Sequence, residues 1–203
     1  MTAIAAALAT RFDRDIRTVR INLSSADIEE WGKVRRVDSD AGDTMHASTL
    51  VPAHDGTRDA TFVRVRATSL FVHYPTESYY MQYEMLLDRF ARQARRQPEY
   101  ELRTFYGQLQ HIYVVQFKDP RPALGLDEPT TVFLAAIRTC ILDNPDSQLQ
   151  GLDVQFYSKE GGLDVVDITS LQCLVGRIRD RAQWAIIDRS GSLARASYSM
   201  EDA

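Results

Sequence analysis

The chain has 203 residues, 44% of them hydrophobic and 26% charged, a profile that suits a globular protein with one sizeable core and excludes a low-complexity or fibrous chain. No apolar run approaches the ~18 residues of a membrane-spanning helix, and the net charge of −4 speaks against a module built mainly to hold nucleic acid. The two cysteines, Cys140 and Cys173, each sit in an apolar run, which implies buried thiols in a reducing, intracellular setting and excludes a disulfide framework.

The first residues, Met1 to Leu8, are small and apolar and read as a short helix or a chain edge; no basic residue precedes them, as a signal peptide would require. Arg17–Ile21 alternates as a strand does, and Ser24 or Ser25 ahead of acidic residues reads as a helix start that Gly32 soon ends. Residues 38–60 are polar and turn-rich and are expected to form mostly a surface loop. This divides the chain into an N-terminal mixed segment and loop, 1–58, and a β-rich domain, 59–198.

Within that domain 60–72 reads as a strand. An amphipathic helix is expected over 76–97, with Tyr79, Tyr83, Leu86, Leu87 and Phe90 on one face and Pro98 as its stop. Tyr100–Phe117 is a long strand in which Gly107 signals a bulge or a close backbone approach. Thr131–Leu142 reads as a buried strand, although Ala135 and Ala136 also permit a helix. Val154–Tyr157 is a short strand, Glu160-Gly-Gly a hairpin turn, and Val165–Ile168, Leu171–Ile178 and Trp184–Asp188 are further strands. Together these give a mainly β (α+β) fold: a small twisted barrel or curved antiparallel sheet with one inserted helix.

No spacing of His46, His54, His73 and His111 forms a metal-binding motif, and no glycine-rich phosphate loop or nucleophile elbow occurs, so neither a metal nor another cofactor is expected. Asp167 and Asp188 would suit a metal-dependent hydrolase if their strands paired. Two surfaces stand out instead. Arg177, Arg179 and Arg181 alternate, so a strand puts them on one face. Arg189 follows them, and Arg92, Arg95 and Arg96 crowd the end of the expected helix, so that a phosphate backbone or an acidic partner would meet a basic face. The excess of arginine, 21 against 3 lysines, also accords with GC-rich codon usage. Tyr106, Tyr113 and Trp184 are candidates for an aromatic surface, against the common fate of strand aromatics in a core.

Five segments carry a resemblance: WGKVRRVDSDAGDTM (Trp31–Met45), RDATFVRVR (Arg58–Arg66), FYGQLQHIYVVQF (Phe105–Phe117), LGLDEPTTVFLAAIRTC (Leu124–Cys140) and VDITSLQCLVGRIRDRAQWAIIDRSG (Val166–Gly191). Their order resembles a region of proteins from mushroom-forming fungi that belong to DNA transposons of the CACTA and related superfamilies. More loosely it resembles the β-barrel of bromo-adjacent homology modules. The acidic catalytic core of a transposase is missing, so the resemblance implies an accessory, non-catalytic domain in the nucleus with a protein partner, a chromatin component or the transposase body. Nucleic-acid binding through the arginines is the alternative, and no membrane association is implied.

Overall fold

The computed structural model describes residues 1–35, 44–51, 61–67, 86–88, 100–143 and 154–188. Helix α1 (Thr2–Phe12) buries Ile4, Ala5 and Leu8, which its 3.6-residue period puts on one face. Helix α2 (Ile16–Leu23) starts on Asp15, whose carboxylate accepts the Thr18 backbone N–H at 2.9 Å. Bonds from the Thr18 hydroxyl and then its amide hold that carboxyl below its ordinary pKa. The strand expected over Arg17–Ile21 is therefore a helix. Val19 and Leu23, one helical turn apart, are its buried pair, and Ile21, on which the alternation relied, is 65% exposed. The helix expected from Ser24 or Ser25 is replaced by strand β1 (Asp27–Trp31), in which Ile28 lies opposite Val115.

Strands β2 (Lys33–Arg35) and β3 (Thr44–His46) pair with each other, so part of the expected loop is ordered sheet, and Met45 and Ala47 are core residues. After β4 (Phe62–Ala67) comes β5 (Leu86–Asp88), which pairs with the start of β6 (Tyr100–Phe117). These three residues belong to the stretch expected to be helical. Here pairing with a neighbouring strand overrides the helical spacing. The rest of that expected helix lies outside the described residues.

Strand β7 (Thr130–Leu142) fulfils the strand reading of its apolar run. Strand β8 (Val154–Asp167) runs unbroken through the expected Glu160-Gly-Gly turn. The glycine there serves close packing instead: a Cβ on Gly161 would lie 2.3 Å from the Thr139 hydroxyl, and the register with β7 slips at this point. Strands β9 (Leu171–Leu174), β10 (Gly176–Asp180) and β11 (Gln183–Ile187) complete the chain of strands.

The main sheet is antiparallel, in the order β10-β11-β8-β7-β6-β4-β9, with β1 and β5 also on β6. Its two ends, β9 and β10, are consecutive in sequence and separated by Val175 alone, whose N–H donates to the Phe62 carbonyl at 3.0 Å. The sheet therefore curls until one stretch of chain forms both its ends, a nearly closed barrel of the expected kind. Alternation then sorts the side chains. Val115, Phe117, Val132 and Leu134 face the two helices, whose Ile4, Leu8, Val19 and Leu23 cover them. Residues 1–35 thus pack directly on the central strands. Leu109, Ile112, Ala135 and Ile137 meet Met45, Val63 and Leu171 in a second cluster. Phe62, Tyr106, Cys140, Tyr157, Val175 and Ile186 fill a third, at the seam where the sheet closes.

Candidate functional site

The hairpin β10–β11 carries the arginines that the sequence singled out. Arg177 pairs with Ile186 and Arg179 with Trp184, so both arginines share a face with the indole. The Arg177 guanidinium lies 3.9 Å from the centre of the Phe62 ring and 4.0 Å from that of Trp184. It donates to the Tyr157 hydroxyl at 3.1 Å. Arg179 reaches the same indole at 5.8 Å. Arg181 is not on this face: it forms the tight turn with φ 53°. Arg189, Arg92, Arg95 and Arg96 lie outside the described residues.

This arrangement changes what the residues can do. The space between the Phe62 and Trp184 rings is filled by a cation of the chain itself, so the indole face under Arg177 is not open to a base or a foreign cation. Tyr106 and Tyr157 are core residues of the same seam and are closed to solvent. The Tyr106 hydroxyl donates to Asp188 at 3.0 Å, and Arg64 approaches the same carboxylate oxygen at 3.1 Å. Tyr113 sits at the other end of β6, stacked on His111 at 5.4 Å. The three aromatic candidates are thus not brought together.

Chemistry by nucleophile finds little support at these positions. Burial pushes the Cys140 thiol up to about 11, and a hydrogen bond with Tyr157 offsets only part of this. At neutral pH, iodoacetamide is expected to alkylate Cys140 about 100-fold more slowly in the folded chain than in the urea-unfolded one. Mass spectrometry of the tryptic peptide checks this, and equal rates would refute it. Cys173 is half-buried and is not in a disulfide.

A Thr49–His111–Glu30 group resembles a relay in composition alone. His111 Nδ1 lies 2.7 Å from Glu30 Oε1, and the Thr49 hydroxyl lies 3.3 Å from that same nitrogen. A relay needs the orienting carboxylate and the nucleophile on opposite ring nitrogens. The Thr49 hydroxyl is moreover bonded to the Gln110 carbonyl at 2.5 Å.

Asp167 and Asp188 do not meet either. Strand β11 pairs with β8 over Val154–Tyr157, at the far end from Asp167. Asp167 is held by Arg11 and Thr169, Asp188 by Tyr106 and Arg64. Among the described residues no cluster of His, Cys, Asp and Glu is placed to hold a metal ion. No described helix is long and apolar enough to cross a membrane.

The feature that sequence reading missed is the edge formed by β1. Among the described residues this strand pairs with β6 only, and none of them hydrogen-bonds to the backbone of its other side, as at a sheet edge. Its sequence is Asp-Ile-Glu-Glu-Trp, and four of its five residues are exposed. Asp27 is paired with Lys118, whose ammonium also feels the charge of Glu29, and Glu30 is paired with His111; Glu29 itself accepts from the Trp31 indole N–H and the Gln116 amide, each at 3.4 Å. Trp31 is 46% exposed and rests edge-on against Phe133, itself 36% exposed, at 5.8 Å. An edge that no other described strand pairs, a run with three carboxylates and an exposed aromatic pair thus occur side by side. The signal was present in the run of acidic residues before Trp31, but that run also fits a helix start.

No protein-family model, no curated protein and no solved structure matches the chain.

Proposed function

We propose that this domain is a non-catalytic binding module that takes up an extended, basic segment of a partner protein as an additional strand on β1. The observation that carries the reading is the open β1 edge with three acidic residues in five and Trp31 beside it. Backbone pairing along a free edge supplies affinity, and side chains alternating along the added strand supply selectivity. Carboxylates select lysine and arginine at the positions they face, while the Trp31–Phe133 pair offers an apolar anchor. The resemblance to transposon-encoded proteins supports a nuclear setting, in which basic tails of chromatin proteins and basic segments of a transposase body are partners of this chemistry.

Acidic residues on an edge strand also serve to prevent sheets from joining. Binding distinguishes the two roles. A labelled peptide of alternating lysine and valine is expected to bind the full chain, and an alternating glutamate–valine peptide is not. Glu29→Lys and Trp31→Ala are each expected to weaken the first peptide by about 10-fold. Failure of the lysine peptide to bind at low salt, or affinity unchanged in both variants, would sink the proposal. The nucleic-acid alternative has less in its favour, because Arg177 is sandwiched between two rings of its own chain and Arg181 turns the hairpin.

A further inference from the structure

A second concave site lies away from β1. Beside the buried face of α1, where Ile4 and Leu8 enter the core, runs a stripe made of the exposed Ala3, Ala6 and Thr10 and of Ala7, which is half-buried at the edge of that core. It forms one wall of a pocket of about 370 Å3, whose opposite wall is built by Phe105 of β6, Ile137 of β7 and Leu163 of β8. Alanine is what leaves the space open, since longer side chains at three positions of one stripe would fill it. The volume lies within the range of sites for small organic ligands.

The polar groups of the wall narrow the ligand class. The Thr10 hydroxyl donates to the Ala6 carbonyl at 3.2 Å, and the Thr139 hydroxyl to the Gly162 carbonyl at 3.4 Å. Asp164 is the only charged residue among the described residues of the lining. The nearest arginine of α1 in sequence, Arg11, is bonded to Asp167 instead. An acid such as a fatty acid would set its own carboxylate in an apolar wall beside another negative charge, with no cation among the described lining residues to receive it.

We propose that this pocket binds a small apolar amine, with its hydrocarbon body against the alanine stripe, Phe105 and Ile137, and its ammonium group on Asp164. The inference is independent of the β1 edge, since no residue of the pocket belongs to β1.

The test is titration calorimetry of the full chain with decylamine, decanol and decanoate, each below its aggregation concentration. Decylamine is expected to bind about 5-fold more tightly than decanol, and decanoate more weakly than either. Asp164→Asn should equalise decylamine and decanol while leaving decanol unchanged. Ala6→Phe should weaken all three by filling the space, with circular dichroism confirming that the variant folds. Because Asp164 is exposed, its asparagine variant tests the charge even if the phenylalanine variant misfolds. No binding of any of the three, decanoate matching decylamine, or an amine preference that survives Asp164→Asn would each overturn the proposal.

Discussion

Replacing Asp188 by alanine is expected to remove about 3–5 kcal/mol of folding stability, read as a lower midpoint in urea unfolding. The carboxylate is 4% exposed and stands where the barrel seam closes. One of its oxygens accepts the Tyr106 hydroxyl at 3.0 Å and faces the Arg64 guanidinium at 3.1 Å. Truncation leaves a buried hydroxyl without this acceptor and a guanidinium without this counter-charge, and both groups are costly away from water. Tyr106→Phe removes only a donor and keeps the ring, so it should cost about 1 kcal/mol. In the double variant the two losses should fall short of additivity, because the hydroxyl no longer has an acceptor to lose. A loss below about 1 kcal/mol for Asp188→Ala would show that water or a rearranged side chain replaces the carboxylate, and that the polar seam does not hold the barrel shut.

The seam also shows why some of this molecule was legible in its sequence and some was not. Periodicity is a local signal, and it served best where one local pattern decided the outcome. The alternation of β6 and the apolar run of β7 make strands because each strand has a neighbour on both sides. The shared face of Arg177 and Arg179 followed from the two-residue repeat. What the repeat does not contain is the partner across the fold. Tyr106 and Asp188 are 82 positions apart, and Phe62 reaches Arg177 only because the sheet curls. So a basic face anticipated for an outside ligand is in part an internal cation–aromatic stack. The misread helices have the same origin. Arg17–Ile21 alternates by coincidence and is helical because Asp15 caps it and Val19 and Leu23 have a core to enter. Leu86–Asp88 has helical spacing and is extended because Tyr100–Leu102 offers it an edge. The β1 edge was invisible for the complementary reason, since an unpaired side is a property of the assembled sheet.

Glycine in these strands is the point at which a local signal and the assembled sheet can be set against each other by experiment. Gly107 lies between Val63 of β4 and Thr139 of β7 and is hydrogen-bonded into a central strand. A Cβ there would stand 2.5 Å from the Ile137 side chain and 2.6 Å from the Arg138 carbonyl oxygen. The first contact is with a buried methyl group and the second with the backbone of a paired strand, which cannot yield without disturbing the pairing of β6 with β7. Alanine normally gains about 0.5–1 kcal/mol over glycine by restricting the unfolded chain. At position 107 the steric term should reverse that sign and leave a net loss of about 1–3 kcal/mol. Gly162 provides the control, because a Cβ there meets nothing within 4 Å, so Gly162→Ala should be neutral or stabilising by up to about 1 kcal/mol. Opposite signs for the two substitutions in urea unfolding would establish that β6 and β7 are pressed together at this crossing, as a sheet must be when it bends enough to bring β9 and β10 into one segment. If both substitutions stabilised the chain, β6 and β7 would have to lie farther apart than this, and the closed seam that buries Asp188 would lose its geometric basis.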